Sequence, residues 1–141
     1  MTIRAILQIK GQEIISIDAG AFVSDAIVLL AEKRIGALPV LAGNQVVGIF
    51  SERDVIYSLA SGGLETVGKT VEEVMTAPAV TVEPEMPVLS ALSLMTQRRI
   101  RHLPVEECGR LIGFVSIGDL VKYRIERIES EASALRAYIA S

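Results

Sequence analysis

The chain has no Trp, one Cys and one His in 141 residues, and aromatic side chains make up only 4% of it. A surface that stacks single-stranded bases needs exposed rings, so scarcity of rings argues against that class of binder. The lone Cys108 excludes an internal disulfide framework and fits a reducing compartment. With only His102 beside it, no structural zinc site can form. An excess of positive charge is also missing: 14 basic against 17 acidic residues leave −3, which argues against a strongly basic duplex-binding domain. Long apolar runs are absent too. Ala26–Ala31 is the longest, and a bilayer takes about 20 residues to cross. Met1–Lys10 lacks the apolar segment of a secretion signal. The expectation is a cytoplasmic protein that engages neither membrane nor nucleic acid.

What is present is aliphatic. Half of the residues are hydrophobic and mean hydropathy is +0.45, so Ile, Val, Leu and Ala must build the core. At 15.2 kDa that core belongs to one domain, or to two very small ones packed together.

The sequence is written twice. Shifted by 65 residues, 14–60 falls on 79–125 without a gap, and 11 of the 47 pairs are identical. Among them are Arg34/Arg99, Ile35/Ile100, Leu38/Leu103, Pro39/Pro104, Val40/Val105, Gly48/Gly113, Ser51/Ser116 and Asp54/Asp119. The identities cluster in Arg-Ile-x-x-Leu-Pro-Val and Gly-x-x-Ser-x-x-Asp. Two facing copies of a small unit fit this better than an open array, because each half alone buries too little surface.

Each copy reads as strand, helix, strand, strand, helix. Glu13–Ile17 and Ala79–Val82 are β-branched strands. Val23–Arg34 is amphipathic, with Val23, Ala26, Ile27, Leu30 and Ala31 on one face; Val88–Arg99 is its counterpart. Hairpins follow around Gly43-Asn44 and Cys108-Gly109, then helices from Glu52 and Ile117. The linker Ser61–Pro78 carries a capping-box start at Thr70–Glu73. The last helix repeats apolar residues at Val121, Ile125, Ile128, Ala132, Leu135 and Ile139, spaced 4, 3, 4, 3 and 4. That seam either packs on its own domain or serves a dimer partner.

With the duplicated order, both Leu-Pro-Val strands, both Gly-x-x-Ser-x-x-Asp motifs and Val74-Met75-Thr76, the chain resembles a tandem pair of cystathionine β-synthase domains (CBS domains, a Bateman module). It is similar to free-standing bacterial proteins made of such a pair and little else. The resemblance covers about residues 3–125 and implies an α/β fold: two β-α-β-β-α repeats about a pseudo-two-fold axis. The expected division is 1–65 for repeat 1, 66–125 for repeat 2, and 126–141 for a C-terminal helical extension.

Ser51-Glu-Arg-Asp54 and Ser116-Ile-Gly-Asp119 each open a helix. Ser at the N-cap with an acid at N3 is a capping box, and an acid in the first turn suits the helix dipole. The same geometry also favours anionic ligands. The resemblance implies that these Ser and Asp positions hold the ribose of an adenine nucleotide. It also implies that Arg101 and His102 face phosphate, and that Thr76, Ala77, Val80, Thr81 and Ile100 line the adenine. In repeat 1, neutral Gly36-Ala37 replaces the Arg-His pair, with Arg53 as a compensating charge. The stronger site is therefore expected to use Asp119. Core packing of Val80 and Ile100, and solvation of Arg53, are the structural alternatives.

No Ser/His/Asp set, P-loop or Gly-x-Gly-x-x-Gly is visible, so an enzyme is not expected and no cofactor or metal is required. The resemblance implies a sensor of AMP, ADP or ATP, with NAD(H) or S-adenosylmethionine as further ligands, acting by a ligand-dependent conformational shift. A homodimer and an unidentified downstream protein are the expected partners. The rival reading is a structural dimerisation module with no physiological nucleotide.

Overall fold

A computed structural model describes residues 1–11 and 13–141. Helix α1 (Ile3–Lys10) comes first, capped by the Thr2 hydroxyl, which accepts from the Ala5 N–H, and closed by Gly11 at φ 99°. Repeat 1 follows as β1 (Ile17–Asp18), α2 (Val23–Lys33), β2 (Ala37–Ala42), β3 (Gln45–Ser51) and α3 (Glu52–Gly62). A 3-10 turn (Gly63–Gly68) and α4 (Val71–Val74) lead to repeat 2. There α5 (Val88–Arg98), β4 (His102–Glu107), β5 (Arg110–Ser116) and α6 (Ile117–Ala140) reproduce the order. The α/β fold of two repeats and a long C-terminal helix stands as read. Among the described residues, no helix is long and apolar enough to cross a membrane.

The repeats match in detail. Each hairpin is antiparallel and shifts register at one place, after Val40 and after Val105. Arg34 and Arg99 end α2 and α5 in the left-handed conformation, at φ 53° and 55°. The Cys108-Gly109 turn has positive φ at both residues, as a tight two-residue hairpin requires.

Both first strands are shorter than expected. In repeat 1 only Ile17–Asp18 pairs, parallel to Val40–Leu41; just beyond, the Asp18 carboxylate takes the Gly20 N–H at 2.8 Å and turns the chain. In repeat 2 the strand shrinks to a single parallel bridge, Val82 to Val105. Ala31, expected on the buried face of α2, is exposed; Val23, Ala26 and Leu30 carry that face.

The cores do not follow the expected division at residue 65. Ile3, Ile6 and Leu7 of α1 pack into the core of repeat 2 with Val88, Met95, Leu103 and Leu120. Val71 of α4 packs into the core of repeat 1 with Val23, Leu38 and Phe50. Each repeat thus completes its core with the segment that precedes the other repeat's first strand. This exchange ties the halves together and brings the helix starts of one repeat against the strand entries of the other. Helix α6 runs unbroken from Ile117 to Ala140, so the expected helical extension from 126 continues the last helix of repeat 2.

Candidate functional site

Both Ser-x-x-Asp motifs are complete capping boxes. Asp54 Oδ2 accepts from the Ser51 N–H at 2.9 Å and from the Ser51 hydroxyl at 3.0 Å, while the Ser51 Oγ receives the Asp54 N–H. Ser116 and Asp119 repeat the pattern, with the Ser116 N–H 2.9 Å from Asp119 Oδ2. The capping role is therefore real, and it also fixes each carboxylate at the mouth of a cleft.

The first cleft has a volume of about 590 Å³ and the second about 410 Å³. Small-ligand sites usually span about 300–1,000 Å³, so both are of suitable size. They are related by the sequence shift: Ser51/Ser116, Asp54/Asp119, Arg99/Arg34, Ile100/Ile35 and Val80/Ile15 line corresponding walls.

The contents of each cleft correct the sequence-based grouping. Asp54 of repeat 1 shares the larger cleft with Thr76, Val80, Ile100 and Arg101. Asp119 does not; it lies in the smaller cleft with Ile14, Ile15, Ile35, Gly36 and Ala37. Ala77 and Thr81 line neither cleft. The exchange of core segments explains the crossing, because each motif faces the strand entry of the opposite repeat. Ser51 and Arg53 join Asp54, and Ser116 joins Asp119.

In the larger cleft the Thr76 hydroxyl donates to Asp54 Oδ1 at 2.8 Å. Thr76 is anchored by two backbone bonds with Ile49, each 2.9 Å. Arg53, Arg99 and Arg101 all border this space. Among the described residues none of the three has a carboxylate within ion-pair distance. The cleft thus offers a fixed carboxylate, a hydroxyl, an apolar wall and three free guanidinium groups.

The smaller cleft is different at one decisive position. Lys10, at the end of α1, sends its Nζ to Asp119 Oδ2 at 2.6 Å and to the Phe114 carbonyl at 2.7 Å. Burial works to raise the Asp119 carboxyl, but the bonds from Lys10 and Ser116 and the Lys10 charge outweigh it and hold the carboxyl below its usual value. The sequence reading missed Lys10. Extending the repeat alignment back to Gly11, opposite Thr76, shows that this cleft lacks a counterpart of the Thr76 hydroxyl.

His102 borders both clefts and stacks on Phe114, with ring centroids 5.5 Å apart and planes 11° from parallel. Burial lowers its pKa, with the charges of Lys10 and Arg101 adding to that and Asp119 opposing it. Burial and stacking thus disfavour the charged ring, so within the expected Arg101-His102 pair the guanidinium is the firmer source of positive charge.

The family model of the CBS domain matches residues 7–61 and 71–126. The chain is 38% identical over 122 residues to CBS domain-containing protein CBSX3 of Arabidopsis thaliana, described as mitochondrial. That match covers 83% of this chain but 59% of the relative, so the chain spans little more than half of that protein. The structure of CBS-domain protein ATU1752 from Agrobacterium tumefaciens superposes with a TM-score of 0.84 at 34% identity, covering 88% of this chain and 99% of that one. The CBS domain pair of protein MJ0100, solved with 5′-methylthioadenosine and S-adenosyl-L-methionine, superposes at 0.77 with 25% identity, covering 87% and 98%.

Proposed function

The chain belongs to the CBS domain family, and on that premise we propose that it is a non-catalytic sensor that binds an adenine nucleotide in the Asp54 cleft. One observation carries the reading: a helix-start carboxylate and three unpaired arginines converge on the same apolar-walled space. An ionised carboxylate has about four acceptor positions. Ser51 and Thr76 fill three of those on Asp54, which leaves one for a ribose hydroxyl. The Thr76 oxygen can accept the second hydroxyl. Val80 and Ile100 give the base an apolar wall.

The arginines select within the class. The MJ0100 pair was solved with methylthioadenosine, which has no phosphate, and with S-adenosylmethionine, which carries a sulfonium cation. Arg53, Arg99 and Arg101 favour a phosphate-bearing ligand instead, because a guanidinium pairs with phosphate through two parallel donors. AMP, ADP or ATP fits this charge best; NAD(H) shares the required groups. Binding that pulls Thr76 and Arg101 toward α3 would shift the relative setting of the two repeats and so signal to a partner protein.

Calorimetry with AMP, ATP and methylthioadenosine at constant salt tests the reading. ATP and AMP bind more tightly than methylthioadenosine, and Asp54→Asn weakens all three by about tenfold or more, the loss expected for a hydrogen bond to a charged group. Arg101→Ala weakens ATP and AMP and spares methylthioadenosine. Absence of any binding at millimolar nucleotide returns the chain to the rival reading, a dimerisation module, which the exposed seam of α6 independently favours.

A further inference from the structure

The last two-thirds of α6 stand apart from the body of the protein. Leu120 and Tyr123 are the buried residues of this helix, and both precede the family match's end at residue 126. Beyond them Ile125, Ile128, Leu135 and Ile139 are 50%, 48%, 59% and 74% exposed, although all four lie on one stripe. A solvent-exposed helical arm with an apolar stripe gains little from its own chain, because most helical stability in proteins comes from packing an amphipathic face against something else. Something must cover it.

We infer that α6 pairs with α6 of a second copy as a short parallel, in-register coiled coil, and that Arg124, Glu129, Glu131 and Arg136 set its direction. The spacing places Ile125, Ala132 and Ile139 at a positions and Ile128 and Leu135 at d positions. Ile139 at a beside Leu135 at d is the pattern that favours two strands, whereas Ile125 with Ile128 does not select strand number, so the charges carry the choice. The flanking residues then decide orientation. In a parallel pair each g residue meets the e residue five positions on in the partner. Arg124 meets Glu129 of the partner helix, and Glu131 meets Arg136 of the partner helix, each contact occurring twice by symmetry. All four contacts join opposite charges.

The antiparallel alternative fails on the same residues. Its best apolar register sets Ile125 against Leu135 and Ile128 against Ala132. Glu129 would then face Glu129, Glu131 would face Glu131, and Lys122 would face Arg136. Every charged contact across the seam is repulsive or lost. Within one chain Glu131 already pairs with Arg127 at 2.9 Å, but both side chains are more than half exposed, so that pair is weak and exchangeable. This assembly does not depend on nucleotide binding and can fail or succeed apart from it.

The test uses the full chain. In a Cys108→Ser background, Leu135→Cys places a thiol in a d layer where a parallel pair sets it opposite itself. Under mild oxidation this protein forms a covalent dimer, while Ser133→Cys, on the outer face, does not. Charge variants supply a second readout by sedimentation equilibrium. R124E/R136E and E129K/E131K each raise the dimer dissociation constant by about tenfold or more, and an equimolar mixture of the two restores wild-type association. Cross-linking between Ile125→Cys and Leu135→Cys chains in place of self-pairing of Leu135→Cys shows an antiparallel seam and overturns the inference. So does a dimer whose stability ignores all four charges, or a chain that remains monomeric throughout.

Discussion

The ammonium of Lys10 lies 2.6 Å from Asp119 Oδ2, so the acid of the second repeat is already partnered within its own chain. Its counterpart Asp54 is held only by the neutral Ser51 and Thr76. The repeats therefore share a fold and differ at this acid: one carboxylate has only neutral partners and keeps an acceptor position, and the other is occupied by a cation. Replacing Lys10 with Met keeps the aliphatic stem and removes the charge. Calorimetry with AMP is expected to move from one site per chain to two. Unfolding should fall by roughly 1 kcal/mol or less, as for other partly exposed ion pairs. An unchanged stoichiometry with intact folding shows that Lys10 is not what closes the smaller cleft.

The same pair predicts an acid limb. Asp119 titrates below its usual 3.8 in the folded protein, because its bonds to Lys10 and Ser116 outweigh the effect of burial. A depressed carboxyl contributes stability that is fully present above the unfolded value and is lost as pH falls through the folded one. The stability difference between wild type and Lys10→Met is therefore constant from pH 7 to about pH 5 and narrows below pH 3.8. Chemical denaturation at fixed pH values measures it. A difference that widens on acidification contradicts the assignment.

Much of the fold was legible because the chain repeats itself. The 65-residue shift fixed both hairpins and both capping boxes before any coordinates. Local pattern failed where tertiary context decides. Helix α1 went unread although Thr2, the spacing of Ile3, Ile6 and Leu7, and Gly11 together spell cap, apolar face and stop. The candidate site suffered from the same gap. Ser51, Asp54, Ser116 and Asp119 were found as residues, but which strand entry each one faces depends on the exchange of α1 and α4 between cores. No periodicity within a repeat records that exchange. Lys10 was invisible for the same reason, since its partner lies 109 residues away.

His102 makes a prediction of opposite chemical kind. Its pKa is lowered chiefly by burial, and the ring stacks on Phe114. The folded state thus favours the neutral imidazole while the unfolded chain takes up a proton near the usual 6.5. Stability is complete above that value and falls as pH drops below it toward the folded pKa. Lys10 and Arg101 add to the penalty on a charged ring, and Asp119 reduces it. His102→Phe keeps an aromatic ring beside Phe114 and cannot titrate. Relative to wild type, its melting temperature is expected to rise between pH 7.5 and pH 5, about a unit either side of the usual histidine value. A parallel pH profile for the two proteins means that the ring titrates alike folded and unfolded.

Two glycines at matched positions should respond differently to the same change. Gly48 and Gly113 occupy the same place in β3 and β5 and are both buried. A Cβ at Gly48 would lie 2.6 Å from Met75 Sδ and 2.8 Å from the Thr76 carbonyl oxygen. That oxygen belongs to backbone bridged to Ile49, so it cannot retreat without breaking the bridge. A Cβ at Gly113 would meet Leu7 Cδ2 at 2.5 Å, Cδ1 at 2.8 Å and Cγ at 3.2 Å, all atoms of one side chain and none of backbone, so this contact is the more able to yield. Overpacking a fixed contact costs about 1–3 kcal/mol, and a yielding one falls at or below the low end. Gly48→Ala is therefore the more destabilising of the two in urea. It also displaces Thr76 and with it the hydroxyl on Asp54, so its nucleotide affinity drops further than that of Gly113→Ala when both are compared folded. Equal losses of stability, with equal affinities, would show that the Thr76 backbone is free to move and is not the fixed wall of the cleft.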